Sequence, residues 1–136
     1  MNEYDEIYEH WGGPDCPMDA TLELIGRKWV VAIIRDMYVG KKHFSQFKQN
    51  KPNLTNSVLS DTLKFMVEKN LIEKVVNDDG TRNNTEYHLK DKARKLNKII
   101  YTMIEYGLDE LGCCDNMPEV KSNMKKAYQE LFKIEE

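Results

Sequence analysis

Residues 52–72 read PNLTNSVLSDTLKFMVEKNLI, and the fold of this 136-residue chain turns on them. At 100° per residue, Val58, Leu59, Thr62, Leu63 and Met66 fall on one side of a helix. Ser57, Ser60, Asp61, Lys64 and Glu68 fall on the other. Thr55 suits the N-cap, because its hydroxyl can accept from an N–H of the first turn. Pro52 disfavours helix at Lys51 and sets the break before it. Asn70 tolerates the left-handed conformation that closes many helices, which places the end there. One face is greasy and belongs to a core; the other carries short hydrogen-bonding side chains.

The segments on either side give this helix its context. Upstream, KKHFSQFKQN (41–50) predicts a short helix from about Phe44, with Phe44 and Phe47 turned inward. Downstream, IEKVV (72–76) is rich in β-branched residues and TEYHL (85–89) alternates polar with apolar. NDDGTRNN (77–84) lies between them with an Asp-Gly pair, so the two strands form a hairpin. Two short helices joined by a tight turn and followed at once by a hairpin predict a winged helix-turn-helix.

Further out, KWVVAIIRDMYV (28–39) is nearly all apolar and is expected at the centre of the core, ended by Gly40. MDATLELIG (18–26) places Met18, Leu22 and Ile25 on one face, with Pro17 in the first turn and Gly26 as the stop. Pro14 and Pro17 bracket Cys16 and predict an extended chain until about residue 17. DKARKLNKIIYTMIEYGLDEL (91–111) reads as one long helix striped by Leu96, Ile99, Ile100, Met103, Ile104, Leu108 and Leu111. After Gly112 and Pro118, VKSNMKKAYQELFKI is amphipathic through Val120, Met124, Tyr128, Leu131 and Phe132. The fold class expected is mainly α with a small β-hairpin wing, as one domain over residues 1–136. Its DNA-reading part spans about 18–90, with dimerisation helices at both ends.

Composition narrows the setting. With 40% hydrophobic and 32% charged residues this is an ordinary globular chain. No apolar run approaches the roughly 20 residues that span a bilayer, and MNEYDEIYEH lacks a signal-peptide pattern. Three cysteines without a disulfide spacing predict a reduced, cytoplasmic protein. The net charge of -3 hides an asymmetry: residues 1–23 carry seven acids and no Lys or Arg, whereas residues 41–74 hold seven lysines against three acids. The basic middle coincides with the opening helix and favours an anionic partner.

The segments CPMDATLELIGRKW (16–29), GKKHFSQFKQNKPNLTNSVLSDTLKFMVEKNLIEK (40–74) and TEYHLKDKARKL (85–96) together resemble the HxlR-type transcriptional regulators, winged-helix relatives of the MarR family. Three departures from that family's pattern are Ala93, where a Gly is usual, the wing NDDGTRNN, which lacks a frequent proline, and Ser57, where an Arg or Lys is common. The resemblance implies a sequence-specific DNA-binding regulator.

A recognition helix lies in the major groove with its N-terminal residues at base edges. That makes Asn56, Ser57 and Ser60 the expected reading heads, Asn pairing with adenine and Ser with several bases. Thr55, at the helix N-terminus, and Lys64 are expected on phosphates. Lys41, Lys42, Lys48 and Lys51 are further candidate phosphate anchors, and Arg82 at the wing tip is a candidate for the minor groove. Asp61 either accepts from a cytosine amino group or pairs with Lys64; the second is expected. One winged helix reads few base pairs, so a homodimer on a pseudopalindromic operator is expected, joined through the terminal helices. The striped helix from about Asp91 to Leu111 has more greasy face than a monomer needs to cover, and Tyr4, Ile7, Tyr8 and Trp11 add another apolar set.

Cys16 lies just before a helix N-terminus, whose dipole favours a thiolate, while Asp15 and Asp19 oppose it. The resemblance implies a possible thiol switch at this position; a small, partly buried apolar residue is the plainer reading. Cys113-Cys114 could hold a soft metal or arsenic, but His10, His43 and His88 are too scattered for a zinc site. No cofactor and no catalytic constellation is found. The expectation is therefore a repressor that a thiol oxidant or electrophile releases from DNA. The alternatives are a winged-helix protein-interaction module, or a regulator that answers to a small molecule or soft metal.

Overall fold

The computed structural model describes residues 3–77 and 85–134. Its elements run α1 (Glu3–Glu9), α2 (Pro17–Ile25), α3 (Lys28–Tyr38), α4 (Phe44–Phe47), α5 (Asn56–Glu68), β1 (Ile72–Val76), β2 (Thr85–Leu89), α6 (Asp91–Arg94), α7 (Asn97–Glu110) and α8 (Pro118–Leu131). This is a winged helix-turn-helix: α4 and α5 form the motif, and β1 and β2 form the wing.

Helix α5 forms as its sequence dictates. Thr55 caps it, its Oγ1 accepting from the Val58 N–H at 3.1 Å. Leu59, Thr62, Leu63 and Met66 are buried. The Thr62 hydroxyl donates to the Val58 carbonyl at 2.7 Å, which satisfies a polar group inside the core. Asn70 closes the helix at φ 62°. Val58 departs from expectation and is exposed, because the first turn projects past the core together with Asn56 and Ser57.

The core gathers Val30, Ile33 and Ile34 of α3 with Phe47, Leu54, Leu59, Leu63, Met66, Leu71 and Ile72. The strands pair antiparallel from Ile72↔Leu89 to Val76↔Thr85. The segment before α4 lies along β2: the Tyr87 N–H donates to the Lys42 carbonyl at 2.8 Å, and His43 Nδ1 lies 3.0 Å from the Thr85 carbonyl oxygen. Wing and motif are thus tied by one backbone hydrogen bond and by the His43 imidazole.

Three expectations change. Residues 3–9 are helical rather than extended. The stretch 91–111 is two helices, α6 and α7. The Arg94 carbonyl, which an unbroken helix would offer to Lys98, accepts instead from the Tyr38 hydroxyl at 2.8 Å. Finally, Met18 and Leu22 are exposed, and it is Leu24 and Ile25 of α2 that pack on the core. Gly26 ends α2 for a steric reason, since its backbone is right-handed but a Cβ there would meet the Leu22 carbonyl oxygen at 2.5 Å.

The C-terminal helix packs on its own chain. Phe132 is fully buried, edge-on to Tyr38 at 4.7 Å and stacked with Tyr128 at 5.9 Å. Asn97 Nδ2 donates to the Phe132 carbonyl at 2.7 Å. Ion pairs Lys125–Asp109 and Lys121–Asp115 fasten α8 to the end of α7 and the loop beyond it. Tyr128, Leu131 and Phe132 thus spend the apolar side of this helix on the core.

Candidate nucleic-acid interface

The outward side of α5 carries Asn56, Ser57, Ser60, Asp61 and Lys64, all exposed, with Thr55 exposed at the cap. The cap leaves the N–H groups of the first turn near the surface, where the helix dipole favours an anion. Asp61 and Lys64 were expected to pair, but no ion pair joins them. The Lys64 ammonium is therefore available on the same face as the short polar side chains.

At the other end of α5, cations meet the C-terminal dipole. Lys92 Nζ donates to the Lys69 carbonyl at 2.8 Å. Arg27, at the start of α3, stacks its guanidinium 3.7 Å from the Phe65 ring centre. These contacts orient the helix from behind and leave its N-terminal half forward.

The four further lysines expected to anchor phosphates part ways. Lys51 is buried, its ammonium bonded to Asp36 Oδ2, and so it is a correction: it belongs to the interior of the motif rather than its surface. Lys48 donates to the Leu54 carbonyl, which closes the turn between α4 and α5. Lys41 is half-buried, 3.9 Å from Asp36 Oδ1. Lys42 is exposed and faces Glu86 Oε1 at 3.5 Å. Arg82 lies outside the described residues.

Two acids that the sequence reading passed over organise this surface. Asp36 faces Lys51, Lys41 and, at 4.0 Å, Arg35. It sits three residues after Ile33 on the buried face of α3, which Val30, Ile33 and Met37 share, and that spacing marks a buried acid. Glu86 on β2 accepts from Asn77 at 3.2 Å and lies 3.0 Å from His88 Nε2, besides Lys42. Burial pushes the Glu86 carboxyl up, but Lys42 and His88 together outweigh that and hold it below its ordinary value.

A second region lies at the opposite end of the sequence. No residue of α1 is buried, and Tyr4, Ile7, Tyr8 and Trp11 are all more than half exposed. A cleft of about 940 Å³ runs between α1 and the start of α2, lined by Ile7, Trp11, Met18, several carboxylates and Cys16. Cys16 is a free thiol, 5% exposed, at the N-cap position of α2. On α7, Ile99, Met103 and Tyr106 also face outward. Among the described residues no group of three or more His, Cys, Asp or Glu could hold a metal ion, and no helix is long and apolar enough to cross a membrane.

Comparison with known proteins agrees with this geometry. The HxlR-like helix-turn-helix family matches residues 24–113. The HTH-type transcriptional regulator YybR of Bacillus subtilis is 31% identical over 107 residues, covering 79% of this chain and 83% of YybR. The crystal structure of the HTH-type transcriptional regulator ytcD superposes with a TM-score of 0.65 at 29% identity, over 71% of this chain and 97% of that one. The redox regulator HypR in its reduced form gives a TM-score of 0.66 at 27% identity, over 74% of this chain and 98% of HypR.

Proposed function

The chain belongs to the HxlR-like helix-turn-helix family of transcriptional regulators, a non-enzymatic family, and from that premise we propose that it is a homodimeric repressor. In this reading the whole chain acts as one domain, with residues 18–90 reading DNA. The α5 N-terminus enters the major groove of each half of a pseudopalindromic operator, with two recognition helices about 34 Å apart. Asn56, Ser57 and Ser60 read bases, and Thr55 and Lys64 hold phosphates. Lys42 and Lys41 are secondary anchors, and Lys48 acts mainly by closing the turn. The observation that carries the reading is the exposed polar face of α5, free of ion pairs among the described residues and backed by the buried Leu59, Leu63 and Met66.

The dimer contact is assigned to α1 and the outward face of α7. Both expose apolar and aromatic side chains that their own core does not cover. Occupying a promoter as such a dimer excludes polymerase. Oxidation or alkylation of Cys16, buried at the head of α2 and lining the cleft beside α1, shifts the two halves and lowers operator affinity. The similarity to the redox regulator HypR supports this, as does the position of Cys16 at the head of α2.

Fluorescence anisotropy on DNA upstream of the gene tests it. Reduced protein binds with salt-sensitive affinity, oxidant-treated protein binds less, and a reductant restores binding; Cys16→Ser binds and ignores the oxidant. Salt-insensitive or absent binding would mark a protein-interaction module instead. A second reading keeps the DNA site but takes a small molecule as the signal, and the size of the cleft beside Cys16 favours it. Unchanged binding after oxidation would select that reading.

A further inference from the structure

Cys113 and Cys114 follow Gly112 in the loop that joins α7 to α8, and the DNA-binding reading uses neither. Both thiols are free; Cys113 is exposed and Cys114 is half-buried. The loop around them is held firmly. The Cys113 N–H donates to the Gly107 carbonyl at 3.2 Å, Asp115 to Gly112 at 3.2 Å and Met117 to Cys114 at 2.9 Å. Lys121 bonds Asp115 across the loop at 2.9 Å. Gly112 and Cys114 adopt left-handed backbones, with φ 75° and 63°. The Lys121 ammonium donates to the Asp115 carboxylate, and that bond, with lesser help from Asp109 and Cys114, holds it above its ordinary pKa.

Ligand count decides what such a pair can take. Zinc needs about four ligands, and no third His, Cys, Asp or Glu among the described residues joins these two to hold an ion. A disulfide between the two is poorly matched, since adjacent Cα atoms lie about 3.8 Å apart and unstrained disulfides span about 4.4–6.8 Å. Trivalent arsenic is soft and suits thiolates. In a monosubstituted arsenical one valence is held by carbon, which leaves two for sulfur, and an arsenic atom between the sulfurs lengthens the bridge and relaxes the ring. Leu111 and Met117, exposed on either side of the pair in sequence, offer apolar cover for the organic group.

We infer that Cys113 and Cys114 form a dithiol site for a monosubstituted trivalent arsenical. The reaction condenses R–As(OH)2 with two thiols: two As–O bonds are replaced by two As–S bonds, two waters leave with the thiol protons, and arsenic stays trivalent. The site rests neither on the dimer nor on Cys16.

The test is mass spectrometry of the folded full chain mixed with phenylarsine oxide, with circular dichroism to verify each variant. One arsenical per chain is expected in the wild type and in Cys16→Ser. It should survive excess glutathione and be removed by a dithiol. Cys113→Ser and Cys114→Ser each lose the glutathione-resistant adduct. Retention by either of those two variants, loss in Cys16→Ser, or release from the wild type by glutathione would overturn the assignment.

Discussion

The ammonium of Lys51, in the turn between α4 and α5, bonds the Asp36 carboxylate of α3, and the two side chains are only 6% and 7% exposed. The turn that aims the recognition helix is therefore bolted to the central helix by a charge pair inside the protein. Such pairs add little net stability over an apolar substitute, but removing one partner strands the other charge.

Lys51→Met alone should destabilise the fold by about 3 kcal/mol, because buried Asp36 loses its bonded ammonium and keeps only Lys41 at 3.9 Å and Arg35 at 4.0 Å. Asp36→Leu combined with Lys51→Met should recover most of that loss. Urea denaturation of the singles and the double measures the coupling; additive losses would show that the pair does not act as a unit.

Replacing Asn56 by Ala leaves an exposed position unfilled, so stability should hardly change. Operator preference should relax, by about 1–3 kcal/mol if the contact to adenine is bidentate. Ser60→Ala should act in the same direction and by less. Anisotropy with single-base operator variants reads both effects. A uniform loss over all sequences would place these side chains on phosphate.

Lys64→Ala should flatten the salt dependence by about 0.9 in log–log slope per protomer and weaken all sequences alike. Lys42 differs, since it faces Glu86 in the free protein. Glu86→Gln removes that competitor, so it should tighten binding and steepen the slope, and the gain should vanish in a Lys42→Ala background.

The Glu86 carboxyl also predicts an acid response. Lys42 and His88 hold it below its ordinary value of 4.5. A group whose pKa is depressed on folding stabilises the fold fully above its unfolded value, and that contribution is lost as pH falls through the folded one. The wing's tie to the motif should thus weaken below about pH 4.5. Wild-type Tm should fall more steeply there than that of Glu86→Gln; parallel curves would refute the tie.

Thr55→Ala should cost about 0.5–2 kcal/mol, since the Val58 N–H loses its acceptor, and Thr55→Ser should cost little. Thermal melts decide this. An equal loss in both variants would mean that the methyl group, not the hydroxyl, matters.

The sequence by itself determined the order of elements from α2 to β2, the Thr55 cap, the Asn70 stop, the hairpin and the polar outward face of α5. These follow from periods of 3.6 and 2 and from local backbone preferences, which reside within a few neighbouring residues. Family membership was legible for the same reason, since its motifs are contiguous. What each lysine does was not legible. Lys51, Lys48 and Lys42 look alike in sequence, yet Asp36, the Leu54 carbonyl and Glu86 separate them. A flexible four-carbon arm bonds whatever the fold brings within reach, and Glu86 arrives from 44 residues away. Likewise only the tertiary structure split 91–111, through Tyr38, and turned α8 inward around Phe132 while leaving α1 bare. An amphipathic pattern states that a face will be covered, and packing between distant segments chooses the cover.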